Sequence, residues 1–136
     1  MAGTGSKPRM QLNPMSRIIL DSAFRVHTAL GPGLLESAYQ GCLVHELHKQ
    51  GLEVRSEVAL PVVYDGVTLD IGYRLDLLVE DSIIIEIKAI DKLLPIHQAQ
   101  LLSYLKLSGK QLGFLMNLNV VRFKDGLKRV VNNFQE

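Results

Sequence analysis

The stretch Leu75-Asp76-Leu77-Leu78-Val79-Glu80-Asp81-Ser82-Ile83-Ile84-Ile85-Glu86-Ile87-Lys88 decides how this chain reads. Ile83 to Ile87 is β-branched and apolar at all but one position. That pattern predicts a central strand covered on both faces. Glu80-Asp81-Ser82 is polar enough to turn the chain, so Leu69 to Val79 and Ile83 to Ile90 read as two neighbouring strands. Glu86 and Lys88 are two apart and leave such a strand from the same face. Across the turn, Asp76 falls opposite Ile85 or Glu86, where Cβ atoms of an antiparallel pair are only about 4.5–5.5 Å apart. Two carboxylates that close repel unless something neutralises them. A hard divalent cation does so, through carboxylate, carbonyl and water oxygens.

An exposed same-face ion pair is the plainer reading of Glu-x-Lys, and such pairs are common and weak. Here the charges interrupt apolar strands, where unpaired charge is costly. The constellation therefore reads as a functional centre. Asp76 and Glu86 are the candidate metal ligands, with the backbone carbonyl of Ile87 as a further one. Lys88 is placed to orient a nucleophile or offset developing negative charge.

Outward from this centre the chain is predicted to alternate helices and strands. Residues 1 to 13 read as a tail and 14–136 as one domain. Ile18, Ile19, Ser22, Ala23, Val26 and Leu30 are spaced for a first helix, capped by Asn13 or Ser16. Gly31-Pro32-Gly33 ends it. A second helix runs from about Leu34 to Gln50, with Leu35, Ala38, Tyr39, Cys42, Leu43 and Leu47 as its apolar stripe. Val54 to Val63 is extended, with Pro61 at an edge or bend, and Tyr64-Asp65-Gly66-Val67 is a hairpin signal. A third helix spans Pro95 to Gly109. Leu112 to Leu118 is a buried strand, and Val120 to Phe123 pairs with Leu127 to Val131 in a last hairpin. The expected fold is α/β (or α+β): a mixed central sheet flanked by helices.

Composition narrows the classes. Apolar residues at 47% and charged residues at 21% make an ordinary globular chain. No apolar run reaches the roughly 18–20 residues of a membrane span, and the N-terminus lacks a signal-peptide core. The single Cys42 cannot form an internal disulfide, which fits a reducing, cytoplasmic setting; its helical spacing suggests a buried thiol. Fifteen basic and 14 acidic residues leave a formal charge of +1, so no basic excess advertises nucleic-acid binding. His27, His45, His48 and His97 lack zinc-ligand spacing. His97, near Gln100, is a candidate phosphate or supporting contact.

Gly33-Leu34-Leu35-Glu36-Ser37-Ala38-Tyr39 matches the GxxExxY signature. With Asp76-Leu77-Leu78-Val79, Glu86-Ile87-Lys88-Ala89 and Gln100-Leu101-Leu102-Ser103-Tyr104-Leu105 in order, the chain resembles the GxxExxY proteins. These are small, mostly bacterial members of the PD-(D/E)xK nuclease superfamily. The resemblance covers roughly residues 15 to 134, although Leu75 stands where the motif's Pro would be. It implies a restriction-endonuclease-like core and a phosphodiesterase dependent on Mg²⁺ or Mn²⁺. It places Asp76, Glu86 and Lys88 in catalysis, and adds Glu36 as an acidic helper for the metal. Gln100 and Tyr104 become substrate-binding or supporting residues, with Tyr39 and His97 beside them. Core packing with a bonded hydroxyl is the competing reading of Tyr39 and Tyr104. The implied partner is nucleic acid, DNA ahead of RNA. So small a core leaves room for a homodimer or protein partner to supply recognition. The alternative is a non-catalytic nucleic-acid- or protein-binding module that keeps the nuclease fold.

Overall fold

The computed structural model describes residues 10–136. Helix α1 (Leu12–Leu30) begins two residues inside the expected tail, whose first nine residues lie outside the described ones. Pro14 sits in its first turn, where a missing N–H costs nothing. Neither expected cap forms. Gln11 occupies the cap position without a side-chain bond, and the Ser16 hydroxyl donates to the Leu12 carbonyl at 2.8 Å. Gly31 ends the helix at φ 66°, a value its missing Cβ makes cheap.

Helix α2 (Glu36–Lys49) starts later than its apolar spacing suggests. Tyr39, Leu43 and Leu47 are its buried stripe, four residues apart. That stripe is narrow, so Leu35 and Cys42 fall outside it and are exposed, correcting the buried thiol expected from spacing.

Strand β1 (Val54–Ala59) stops before Pro61. Strands β2 (Val62–Tyr64) and β3 (Val67–Leu69) form a separate two-stranded hairpin. Asp65 (φ 52°) and Gly66 (φ 75°) make its turn, as the Asp-Gly pair requires. The extended run expected from Leu69 to Val79 is broken. The Gly72 N–H donates to Asp70 Oδ1 at 3.0 Å, and residues 70–73 join no strand before β4 (Arg74–Val79). Strand β5 (Ile83–Lys88), helix α3 (Pro95–Ser108) and strand β6 (Leu112–Asn117) follow. The expected strand over 120–123 is absent. A single 3₁₀ turn, Phe123–Gly126, leads into β7 (Leu127–Val131).

The main sheet runs β1-β4-β5-β6-β7, with β5 in the middle. Strands β5 and β6 are parallel and the other neighbours antiparallel, so the sheet is mixed. Helix α3 is the crossover that the parallel pair needs. Ile83, Ile85 and Ile87 pack beneath α1 and α2, while Ile84 packs under α3 with Leu101, Leu105 and Leu115. Both faces of β5 are thus dry, and any charge on it must be accommodated.

The alternation of β4 breaks near Asp76. Leu75 joins the α3-side core and Leu77 the opposite one, although residues two apart share a face in a regular strand. Opposite them, between the pairs Ser56–Leu77 and Val58–Leu75, Glu57 takes φ 53°. The distortion falls where the sequence places its carboxylate.

Candidate active site

Strands β4 and β5 pair through Val79–Ile83, Leu78–Ile84 and Leu77–Ile85, and the ladder ends there. The next positions in register are Asp76 and Glu86. Side chains take over from the backbone at this point. Asp76 Oδ2 accepts the Ile87 N–H at 2.8 Å, and Glu86 Oε2 accepts the Asp76 N–H at 3.3 Å. Each carboxyl group therefore reaches across to the other strand, and the two meet in the gap.

Glu86 is only 7% exposed. Burial, then the adjacent Asp76 charge and a hydrogen bond with Asp76, push its carboxyl up to about 9; the Asp76 backbone bond and Lys88 pull the other way. Without a cation, the pair holds a proton at neutral pH. Lys88 is half-buried on the same strand face as Glu86.

The donor set suits a hard divalent ion. The Lys88 carbonyl accepts the N–H of Leu118, one residue past the end of β6, at 3.0 Å. Backbone groups alternate along a strand, so the Ile87 N–H and carbonyl face β4, where Asp76 already takes the N–H. Two carboxyl groups and one carbonyl then share the gap. Among the described residues no three His, Cys, Asp or Glu side chains converge. That is compatible with Mg²⁺, which typically uses one or two carboxylates and keeps several waters.

The other expected site residues divide. Glu36, first in α2, is exposed and lines an open groove with Asp76, Gln40 and Glu57. Tyr104 on α3 is buried, and its hydroxyl is pushed up by burial, Glu86, Tyr73 and Asp76, so it stands in the field of the carboxyl pair. Gln100, one turn earlier, is exposed. Tyr39 is fully buried; its hydroxyl donates to the Gly31 carbonyl at 2.6 Å and accepts the Leu34 N–H at 3.1 Å, tying the Gly-Pro-Gly loop to α2. His97 Nδ1 accepts the Leu94 N–H at 2.9 Å and caps α3.

Three neighbours of the site were not singled out by sequence. Gln40 donates to the Asp76 carbonyl at 3.3 Å and to Glu57 Oε2 at 3.0 Å. Its signal was there, four residues after Glu36 on one helix face. Asn117, 1% exposed, accepts the Ile90 N–H and donates to the Ile90 carbonyl, fixing the loop that leaves Lys88. It is a polar residue in an apolar run, the same signal that marked Glu86. Tyr73 packs on Tyr104 with ring centroids 5.8 Å apart; nothing in its spacing predicted that contact.

The sequence model of the PD-(D/E)XK nuclease superfamily matches residues 13–130, from the first turn of α1 into β7. That span contains every candidate site residue named above. No curated protein and no solved structure matches the chain.

Proposed function

Because the chain belongs to the PD-(D/E)XK nuclease superfamily, we propose that it is a divalent-metal-dependent phosphodiesterase that cuts nucleic acid at Asp76, Glu86 and Lys88. The observation that carries this reading is the end of the β4–β5 ladder at a carboxyl pair, with Glu86 held at about 9. A purely structural strand pair gains nothing from two acids there.

Asp76, Glu86 and the Ile87 carbonyl would hold Mg²⁺ or Mn²⁺, with Glu36 as a further acidic group at the rim of the groove. A divalent cation in that gap would supply Lewis-acid chemistry, polarising a phosphoryl oxygen and lowering the pKa of water. Lys88 orients the attacking water and offsets charge developing on the phosphate. The Ile87 and Asp76 N–H groups fix the two carboxyl groups in place. Tyr104 and Gln100 line the α3 side. The run Gly33 to Tyr39 supports the finer placement among GxxExxY proteins, and DNA is the first substrate to try.

Cleavage of a fluorescent oligonucleotide in Mn²⁺ tests this. Wild-type protein cuts it. Asp76→Ala and Lys88→Ala each slow cutting by roughly 10²-fold or more, the scale seen when one transition-state contact is removed. Cutting that survives Asp76→Ala at the parent rate contradicts the proposal.

A further inference from the structure

The aromatic pair beside the carboxyl groups suggests which form of nucleic acid fits. This inference rests on the nuclease reading above and narrows its substrate. Tyr73 precedes β4 by one residue and Asp76 by three. Leu75 belongs to the α3-side core, and residues two apart share a strand face, so Tyr73 emerges on that side too. Glu86, Lys88 and Tyr104 are on the same side. The Tyr73 ring lies against that of Tyr104 at 5.8 Å and an interplanar angle of 49°. Tyr104 is buried, but Tyr73 is 41% exposed. One ring is therefore anchored, and the other presents surface to solvent next to the reactive groups.

On the flank of the site that Tyr73 belongs to, charge supplies no grip. The chain from Leu60 to Tyr73 contains Asp65 and Asp70 and no Lys or Arg. It carries exposed Tyr64 and Ile71 instead. Arg74, beside Tyr73, is engaged with Asp70 at 3.5 Å and with the Tyr73 carbonyl at 2.8 Å. Over the whole chain the formal charge is only +1. Duplex binding without base contacts draws its affinity from neutralised phosphates. Single strands offer their base faces, and a ring can stack on any of them. A duplex hides those faces in its own stack.

We propose that Tyr73, braced by Tyr104, is a stacking platform for an unpaired base beside the scissile phosphate, and that the substrate is single-stranded nucleic acid. Tyr73 contacts substrate directly; Tyr104 acts through it as a positioning residue.

Binding of a fluorescein-labelled single strand, its duplex, and a strand with abasic sites, each measured by anisotropy in Ca²⁺, tests the assignment. The single strand binds more tightly than the duplex. Tyr73→Ala weakens single-strand binding by roughly 5- to 150-fold, the fold-change matching one lost base–aromatic stack. Tyr73→Phe keeps the ring and stays near the parent. The abasic strand, which needs no variant to be informative, binds the parent as weakly as the normal strand binds Tyr73→Ala. Equal binding by the parent and Tyr73→Ala, or a duplex bound as tightly as the single strand, overturns the assignment. Cleavage followed after Mn²⁺ addition reports separately on the nuclease reading. Tyr73-dependent binding without cleavage supports the platform and contradicts nuclease activity. Cleavage with no Tyr73 dependence does the reverse.

Discussion

At the scale of single residues, Glu86 sets the electrostatics. Its carboxyl lies at about 9 in the folded, metal-free protein, against 4.5 for an ordinary glutamate. Below about pH 4.5 the group is protonated whether folded or not, and burial costs no charge. As pH rises from there to about 9, the unfolded chain loses the proton and the fold keeps it, so this group's contribution to stability falls throughout that window. Above about 9 the penalty is constant. Glu86→Gln copies the neutral acid. In metal-free urea unfolding it should gain on the parent between about pH 5 and about pH 8. A difference independent of pH would mean that Glu86 is ionised in the fold. Tyr39 offers a second test, unrelated to chemistry. Tyr39→Phe leaves the Gly31 carbonyl and the Leu34 N–H without their partner and should cost about 1 kcal/mol in the same unfolding assay. Nuclease rate at saturating metal should change little.

At the scale of elements, what holds the site is the joint between β6 and β7. Gly126 packs so closely that a Cβ there would sit 2.0 Å from the Asn117 carbonyl oxygen. Asn117 in turn fixes Ile90 in the loop after Lys88. Gly126→Ala should therefore destabilise by about 1–3 kcal/mol, the usual cost of overpacking, and slow cleavage by displacing that loop. A variant with unchanged melting and rate would show that the contact relaxes freely. This joint was not legible in the sequence, where 120–123 reads as a strand; a glycine's role as a spacer depends on what packs against it. Other boundaries were legible because local chemistry fixes them. Gly31 and Gly109 stop helices at positive φ, and Asp65-Gly66 turns a hairpin. The β5 run was legible because Ile83 to Ile87 leaves no polar face to expose. Helix α2 was legible in type and only in part in its buried face: Tyr39, Leu43 and Leu47 are buried and Val44 packs beside them, while Leu35 and Cys42 are exposed. The proximity of Asp76 and Glu86 followed from a short turn and a two-residue period. The Tyr73–Tyr104 contact spans two elements distant in sequence, and no periodicity encodes it.

At the scale of the whole molecule, the near balance of charge and the ion-paired arginines bear on the proposed mode of binding. Arg74 and Arg122 are in ion pairs with Asp70 and Asp125, while Arg55 and Lys110 both reach Asp81. If few phosphates are neutralised, log affinity should fall gently with log salt, at about −0.7 per phosphate contacted on a single strand. A steep slope would point to a phosphate-tracking surface. Among the described residues no helix is long and apolar enough to cross a membrane. The central claim is that Asp76 and Glu86 form a divalent-cation site, and it needs no knowledge of substrate to be tested. The measurement is the thermal midpoint across a Mn²⁺ titration, for the parent and for Asp76→Ala. A cation bound only by the fold adds about 2.7 kcal/mol at a hundredfold excess over its dissociation constant. The parent should show a saturable rise that Asp76→Ala lacks; a flat parent curve, or the same rise in both proteins, would contradict the site.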